Sequence, residues 1–380
     1  MKKITVGQLC KPNSEQIKPD FETLVDYIDI ASVDNVNKRI TGFTTYKFGE
    51  APSRARKSVK NGSILVSTVR PNLNAVAVFD IKTNNIPVAS TGFCVLDCKE
   101  DTYPRFLFNY LQSKAFVGEM VSQATGASYP AVSDKIVRSA HLPAYSYKEQ
   151  VQIANLLDCV SNVIAKRKQQ LKTLDELVKA RFVELFGDQT ANPYAWQQTS
   201  IGACCTLKSG TSLPADKENE GGAIPYVKVG DMNYPGNEQY ITTSSRFVSE
   251  QTAGTGVFPV GTVVFPKRGG AIGTNKKRLT RLPICADLNV MGVTAGRRLT
   301  PQYLMAYFNT VDLGTLNNGS SVPQINNKDI APLLICIPPM ALQEQFAAFV
   351  EQTDKSKAVI QKALDEAQLL FDSLMQKYFG

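Results

Sequence analysis

The sequence predicts an α+β protein with an internal repeat, in which two globular domains are each followed by a long helix. Three observations carry this. First, Pro130-Ala131-Val132, Leu142-Pro143, Glu149-Gln150 and a helical run closing at Phe186-Gly187 return in order. They return as Pro323-Gln324-Ile325, Ile337-Pro338-Pro339, Glu344-Gln345 and a run closing at Phe379-Gly380. Second, Tyr147 to Phe186 contains neither proline nor glycine. Third, the remaining sequence reads as short β-branched runs separated by turn residues. A repeat near 190 residues is far longer than the roughly 20–50 residues of a solenoid, so it marks a duplicated two-part unit. The expected segments are residues 1–145, 146–187, 188–337 and 338–380.

In the first domain Asp26–Ile30, Ile64–Val69 and Ala75–Phe79 are strand candidates, with Asn61-Gly62 as a turn. After Tyr103-Pro104 a helix is expected from Arg105 to about Val117, with Phe106, Tyr110 and Leu111 on one face. The second domain answers in the same order with Ile224–Val229, Gly261–Phe265 and the helix beginning Pro301-Gln302-Tyr303. Both frames persist while their loops differ, which suits two different ligands.

In the first long helix apolar residues recur three and four apart at Leu157, Val160, Ile164, Leu171, Leu174, Val178 and Leu185, with Arg167 and Arg181 filling the gaps. That is a heptad-like seam. The second carries Phe346, Phe349, Ile360, Ala363, Ala367, Leu370 and Leu374. Forty residues make a rod of roughly 60 Å. Neither helix is stable alone in water, so the economical arrangement packs the two together. Leu177, Leu364 and Phe371 widen the stripe. A purely intramolecular coiled coil and a stripe that also receives partner helices are both compatible with the spacing. Counted from Glu149 and Glu344 to the closing phenylalanines, the second copy is two residues shorter.

At 43% hydrophobic and 20% charged residues the composition excludes a disordered chain. No run of about 18 apolar residues is present to span a membrane, and the start lacks the apolar middle of a signal peptide, so cytoplasmic residence is expected. Eight scattered cysteines lack zinc-ligand spacing and read as reduced thiols. A net charge of +8 permits an anionic partner. Two basic clusters sharpen this: Arg54, Arg56, Lys57 and Lys60, then Lys276, Lys277, Arg278 and Arg281.

Enzyme signatures fail in turn. His141 is the only histidine, which leaves little for acid–base or triad chemistry. Gly269 to Lys276 imitates a phosphate loop without matching one, although its backbone N–H groups beside lysines suit a nucleic-acid phosphate. Asn192-Pro193-Tyr194 reads as a turn rather than a methyltransferase motif. Asp80 with Asp97-Cys98-Lys99 fits a nuclease pattern only loosely. The chain reads as a binder.

The duplicated Leu142-Pro143 … Glu149-Gln150 and Ile337-Pro338-Pro339 … Glu344-Gln345 resemble the specificity subunit of Type I restriction–modification enzymes. So do Gly126-Ala127-Ser128-Tyr129-Pro130 and Gly319-Ser320-Ser321-Val322-Pro323, and Phe186-Gly187-Asp188 with Asn192-Pro193 and Trp196. The resemblance spans the whole chain. It implies two target-recognition domains, each reading one half of a bipartite site in double-stranded DNA. The family's two conserved helices would pair as an antiparallel coiled coil with pseudo-two-fold symmetry, set the spacer and dock two methyltransferase subunits, with motor-nuclease subunits joining them. It also implies a chain that is not itself an enzyme, in the nucleoid-associated cytoplasm of a bacterium or archaeon. S-adenosylmethionine, ATP and magnesium would belong to partner subunits, with no cofactor or metal here. An autonomous DNA methyltransferase or nuclease, and a scaffold without DNA, are the competing classes.

On this reading Arg54, Arg56, Lys57 and Arg70 are the expected DNA contacts of the first domain. Lys267, Arg268, Lys276, Lys277 and Arg278 are those of the second. Arg70 and Arg268 follow corresponding strands and are expected to reach base edges, whereas Lys276, Lys277 and Arg278 are expected to meet phosphates. Ser128 and Tyr129 read as the lead into the helix in preference to a DNA-facing turn.

Overall fold

The computed structural model describes residues 2–12, 16–316 and 323–380. Gly319 to Val322, part of the repeated motif, lie outside the described residues. The chain divides into two compact units: Met1–Lys168 with Gln361–Gly380, and Gln169–Ile360.

In the first unit the strand Ile64–Ser67 pairs antiparallel with Phe93–Leu96 on one side and Val76–Val78 on the other. Its uninterrupted apolar run reflects burial on both faces. Ile64 and Val66 face Phe106, Leu107 and Tyr110, while Leu65 faces Ala77, Phe93 and Val95. The strand Leu24–Ile28 has one antiparallel neighbour, Thr44–Lys47, and one parallel neighbour, Ile86–Ser90. The single helix expected after Pro104 is two, Pro104–Tyr110 and Lys114–Gln123. Ser113 interrupts it because its hydroxyl accepts from the Phe116 N–H and starts the second helix as an N-cap.

The second unit repeats these relations within itself. Thr262–Pro266 pairs antiparallel with Val290–Ala295, and Ile224–Val227 has one antiparallel and one parallel neighbour, Phe247–Val248 and Cys285–Ala286. Pro301–Thr310 packs Tyr303, Leu304 and Phe308 into the core with Val263, Phe265, Met291 and Val293.

The long helices are Tyr147–Phe186 and Met340–Phe379, and each has 40 residues. The second is therefore not shorter. The discrepancy comes from register. Gln150 is buried, accepts from the Tyr103 N–H at 2.9 Å and donates to the Tyr145 carbonyl at 3.0 Å. Its counterpart is Gln343 rather than Gln345. Gln343 accepts from the Thr300 N–H at 2.9 Å and donates to the Pro338 carbonyl at 2.9 Å. Tyr103 and Thr300 both precede the proline that opens the domain helix, so each glutamine clamps that helix to a long one. From glutamine to closing phenylalanine the spacing is then 36 residues in both copies.

The seam residues behave as their spacing predicts, with one exception. Leu157, Val160 and Ile164 are buried, as are Phe346 and Leu364, but Leu370 is half exposed and Val350 and Met375 take buried places instead. Arg181 fills its gap by lying over the Phe349 ring at 5.8 Å. In the first unit Ile153, Ala154 and Leu157 share a core with Met375 and Phe379; in the second, Phe182 and Phe186 share one with Phe346 and Val350. Gly187 ends the first helix at φ 72°, where a Cβ would also meet Pro193 at 2.5 Å. The Asn192 side chain then closes a turn on both backbone groups of Trp196 at 2.9 Å, as the turn reading expects.

Candidate nucleic-acid interface

Each unit carries the same irregular segment after its central strand. In the first, Arg70 adopts a left-handed conformation (φ 50°), a 3₁₀ turn follows over Pro71–Leu73, and Asn74 ends it at φ 45°. In the second, Gly269 (φ 75°) precedes the turn Gly270–Thr274, and Asn275 ends it at φ 52°. The Arg70 N–H donates to the Pro130 carbonyl at 2.7 Å, and the Gly269 N–H to the Pro323 carbonyl at 2.8 Å. Val69 bridges Ala131 as Arg268 bridges Gln324. The backbone counterpart of Arg70 is thus Gly269, and Arg268 lies one residue earlier than the sequence alignment places it.

A lysine, half-buried in the first unit and buried in the second, locks each terminal asparagine. The Lys38 ammonium donates to the Asn74 side-chain carbonyl at 2.8 Å, and the Asn74 amide to the Leu111 carbonyl at 2.9 Å. The Lys277 ammonium donates to the Asn275 Oδ1 at 2.8 Å and the Val311 carbonyl at 2.6 Å. Lys277 is 4% exposed, so it is not available to a phosphate, and that expectation is corrected. Burial pushes its pKa down to about 8 from the usual 10.5. Between those values the unfolded chain binds more protons than the folded one, so this group makes stability rise with pH from about 8 to 10.5. Below that window its contribution is constant. Replacing Lys277 with methionine should remove the rise: the gap in unfolding free energy between wild type and variant changes only above about pH 8. Denaturant titrations giving a flat gap across that window would contradict this account.

Most of the other predicted cations are held by the fold as well. Arg278 donates to the carbonyls of Asn237, Lys277 and Met232 at 2.5, 2.9 and 3.1 Å, which corrects its assignment as a phosphate contact. Asn237 and Met232 lie 41 and 46 residues away in sequence, so the basic run Lys276-Lys277-Arg278 gave no sign of them. Lys276 donates to Asn233, and Arg281 pairs with Asp354 at 3.2 Å. Lys267 donates to Ser209 Oγ at 2.9 Å, and burial lowers its pKa. In the first unit Lys57 donates to the Phe93 carbonyl at 2.6 Å and pairs with Asp134, with only 13% of its side chain exposed. Lys60 pairs with Asp97 at 2.9 Å.

What remains at the surface is a short set. Arg54 is exposed, Arg56 lies half-buried over the Phe48 ring at 4.8 Å, and Arg70 and Arg268 are exposed. The Arg70 guanidinium stands over the Tyr129 ring at 4.9 Å, and Arg268 Nη2 donates to Gln324 Oε1 at 3.2 Å. Tyr129 is 68% exposed and leads to the short helix Asp134–Ser139, so it belongs to this surface rather than to the start of the long helix. Tyr129 and Gln324 were not among the predicted contacts. Only their contacts with Arg70 and Arg268 single them out.

The residues weighed for catalysis do not assemble. Asp97 accepts from Ser63 at 2.6 Å, Lys99 donates to the Gln8 carbonyl at 2.7 Å, and the His141 carbonyl accepts from Tyr110. Among the described residues no group of His, Cys, Asp or Glu is placed to hold a metal ion, and no helix is long and apolar enough to cross a membrane.

The arrangement defines a class: two diverged α+β units on a repeated frame, each with an exposed arginine beside the same irregular turn, and two long helices that both contribute to each core. Known proteins are similar to the chain. Residues 193–368 match the Type I restriction modification DNA specificity domain. The MjaIX specificity subunit of Methanocaldococcus jannaschii is 21% identical over 83% of this chain and 76% of its own length. The HindI specificity subunit of Haemophilus influenzae is 24% identical over 49% of this chain and 41% of its own. Two solved structures share the fold. One chain of a type I restriction–modification assembly has a TM-score of 0.62 at 23% identity, covering 100% of this chain and 97% of that one. The S subunit from M. genitalium has a TM-score of 0.60 at 15% identity, covering 100% and 96%. The chain is thus similar, over most of its length in one relative and over residues 193–368 in the family model, to Type I restriction–modification specificity subunits.

Proposed function

We propose that the chain is the DNA-recognition subunit of a methylating or restricting complex, with each unit reading one half of a bipartite site in double-stranded DNA. The observation that carries this is the repeated frame with a different arginine setting in each copy: Arg70 over Tyr129 in one, Arg268 against Gln324 in the other. One frame with two settings suits two half-sites. Arg54 and Arg56 supply phosphate contacts that hold register, while Arg70 and Arg268 reach base edges.

The long helices pair as an antiparallel coiled coil and set the unread spacer. Their outward apolar residues dock two methyltransferase subunits. Leu156, Val163 and Leu369 serve this in the first unit, and Leu177, Val183 and Val359 in the second; all six are exposed. S-adenosylmethionine, ATP and magnesium belong to the partner subunits, and this chain is not itself catalytic. The complex works in the cytoplasm, where its DNA is.

Co-expression with a cognate Type I methyltransferase subunit, followed by sequencing of methylated DNA, tests the assignment. The expected result is a motif of two short specified blocks separated by a fixed unspecified gap, bound with an affinity that falls steeply with salt. Methylation or cleavage by the purified chain alone, or an unbroken motif, would overturn it.

A further inference from the structure

Resting on that DNA-reading assignment, we infer that Tyr129 is a positioning residue. Its ring holds the Arg70 guanidinium in one orientation for a hydrogen-bond-accepting base edge, and Gln324 does the same for Arg268. Three observations converge on the first pair. Tyr129 is among the most exposed large hydrophobic side chains, at 68%, so the core does not require it. Arg70 lies over its ring at 4.9 Å and has no carboxylate partner among the described residues. The two backbones are clamped together by the Arg70 N–H to Pro130 carbonyl bond at 2.7 Å, so both side chains leave a fixed platform.

Arg70 is also a non-glycine residue in the left-handed region, a conformation that costs free energy and tends to mark functional positions. Pro71 follows it and stiffens the turn. A long arginine side chain fixed in advance loses less freedom on binding, and that gain goes to discrimination between bases.

The second unit reaches the same end with different chemistry. Gln324 Nε2 donates to Asn326 Oδ1 at 2.8 Å, which fixes the amide so that its oxygen faces Arg268 Nη2 at 3.2 Å. The ring under Arg70 takes none of its five N–H donors, whereas Gln324 takes one from Arg268. Arg70 therefore offers its full fork to guanine O6 and N7, and Arg268 presents a reduced one.

The test uses the full chain co-purified with its methyltransferase and a double-stranded DNA library randomised at every position. Tyr129→Ala should lower base discrimination in the first half-site by about two- to fivefold, the scale of an exposed cation–π contact, and leave the second half-site and thermal stability unchanged. Tyr129→Phe keeps the ring and should match wild type. Arg70→Ala should cost about 5- to 150-fold, and the double variant Arg70→Ala/Tyr129→Ala should lose no more than Arg70→Ala alone. Additive losses, a Phe variant as impaired as the Ala variant, or an unaffected Ala variant would each overturn the inference. A wild-type complex that selects no split motif would instead overturn the DNA-reading assignment beneath it.

Discussion

Replacing Phe379 with alanine should destabilise the first unit by about 3–5 kcal/mol, and replacing Phe186 should do the same to the second. Phe379 is 3% exposed and packs its ring against Phe106 at 5.4 Å and Tyr110 at 5.8 Å. Phe186 is fully buried against Tyr303 at 4.7 Å and Phe346 at 5.6 Å. Each therefore carries a cavity cost as well as lost edge-to-face contacts. The unit affected is not the one the helix follows in sequence. The first long helix follows the first domain yet ends in the second core, and the second helix ends in the first. Hydrogen exchange resolved by peptide checks this. Phe379→Ala should loosen Ile64–Ser67 and Pro104–Tyr110 most, and Phe186→Ala should loosen Thr262–Pro266 and Pro301–Thr310. Equal loosening of both units by either variant would contradict the assignment of each phenylalanine to one core.

Inserting one helical turn after Lys172 should lengthen the unread spacer and leave both half-sites as they were. Lys172 is exposed in mid-helix, and the Asp175–Lys357 ion pair at 2.6 Å shows which part of the second helix lies opposite. A matching turn after Ile360 keeps the pairing intact. Four residues add about 6 Å of helix, against about 3.4 Å per base pair, so a gain of about one to two base pairs is expected. The effect is large because a spacer changed by one base pair is a different recognition sequence. An active complex with an unchanged spacer would remove the ruler role from the helices.

The long helices were legible because nothing interrupts Tyr147 to Phe186 and apolar residues recur at coiled-coil spacing. The repeat was legible too, but its register was not. The Glu-Gln dipeptide at 149–150 and 344–345 drew the alignment, whereas the buried role falls to Gln150 and Gln343, fixed by backbone groups of Tyr103 and Thr300. The site was less visible still. Lys277 and Arg278 look like surface cations until Val311 and Met232 fold back to accept from them. Tyr129 and Arg70 meet only because Val69 bridges Ala131. Charge clustering names residue types, and the acceptors that use up those charges lie in distant segments.

Independent reading of two half-sites through Arg70 and Arg268 is what the repeated frame predicts. Its most direct test is methylated-motif sequencing of the co-expressed complex carrying Arg70→Ala or Arg268→Ala. Each variant should relax base preference in one half-site, a different half for each, with the gap and the other half retained. Relaxation of both halves by either single variant would contradict the claim.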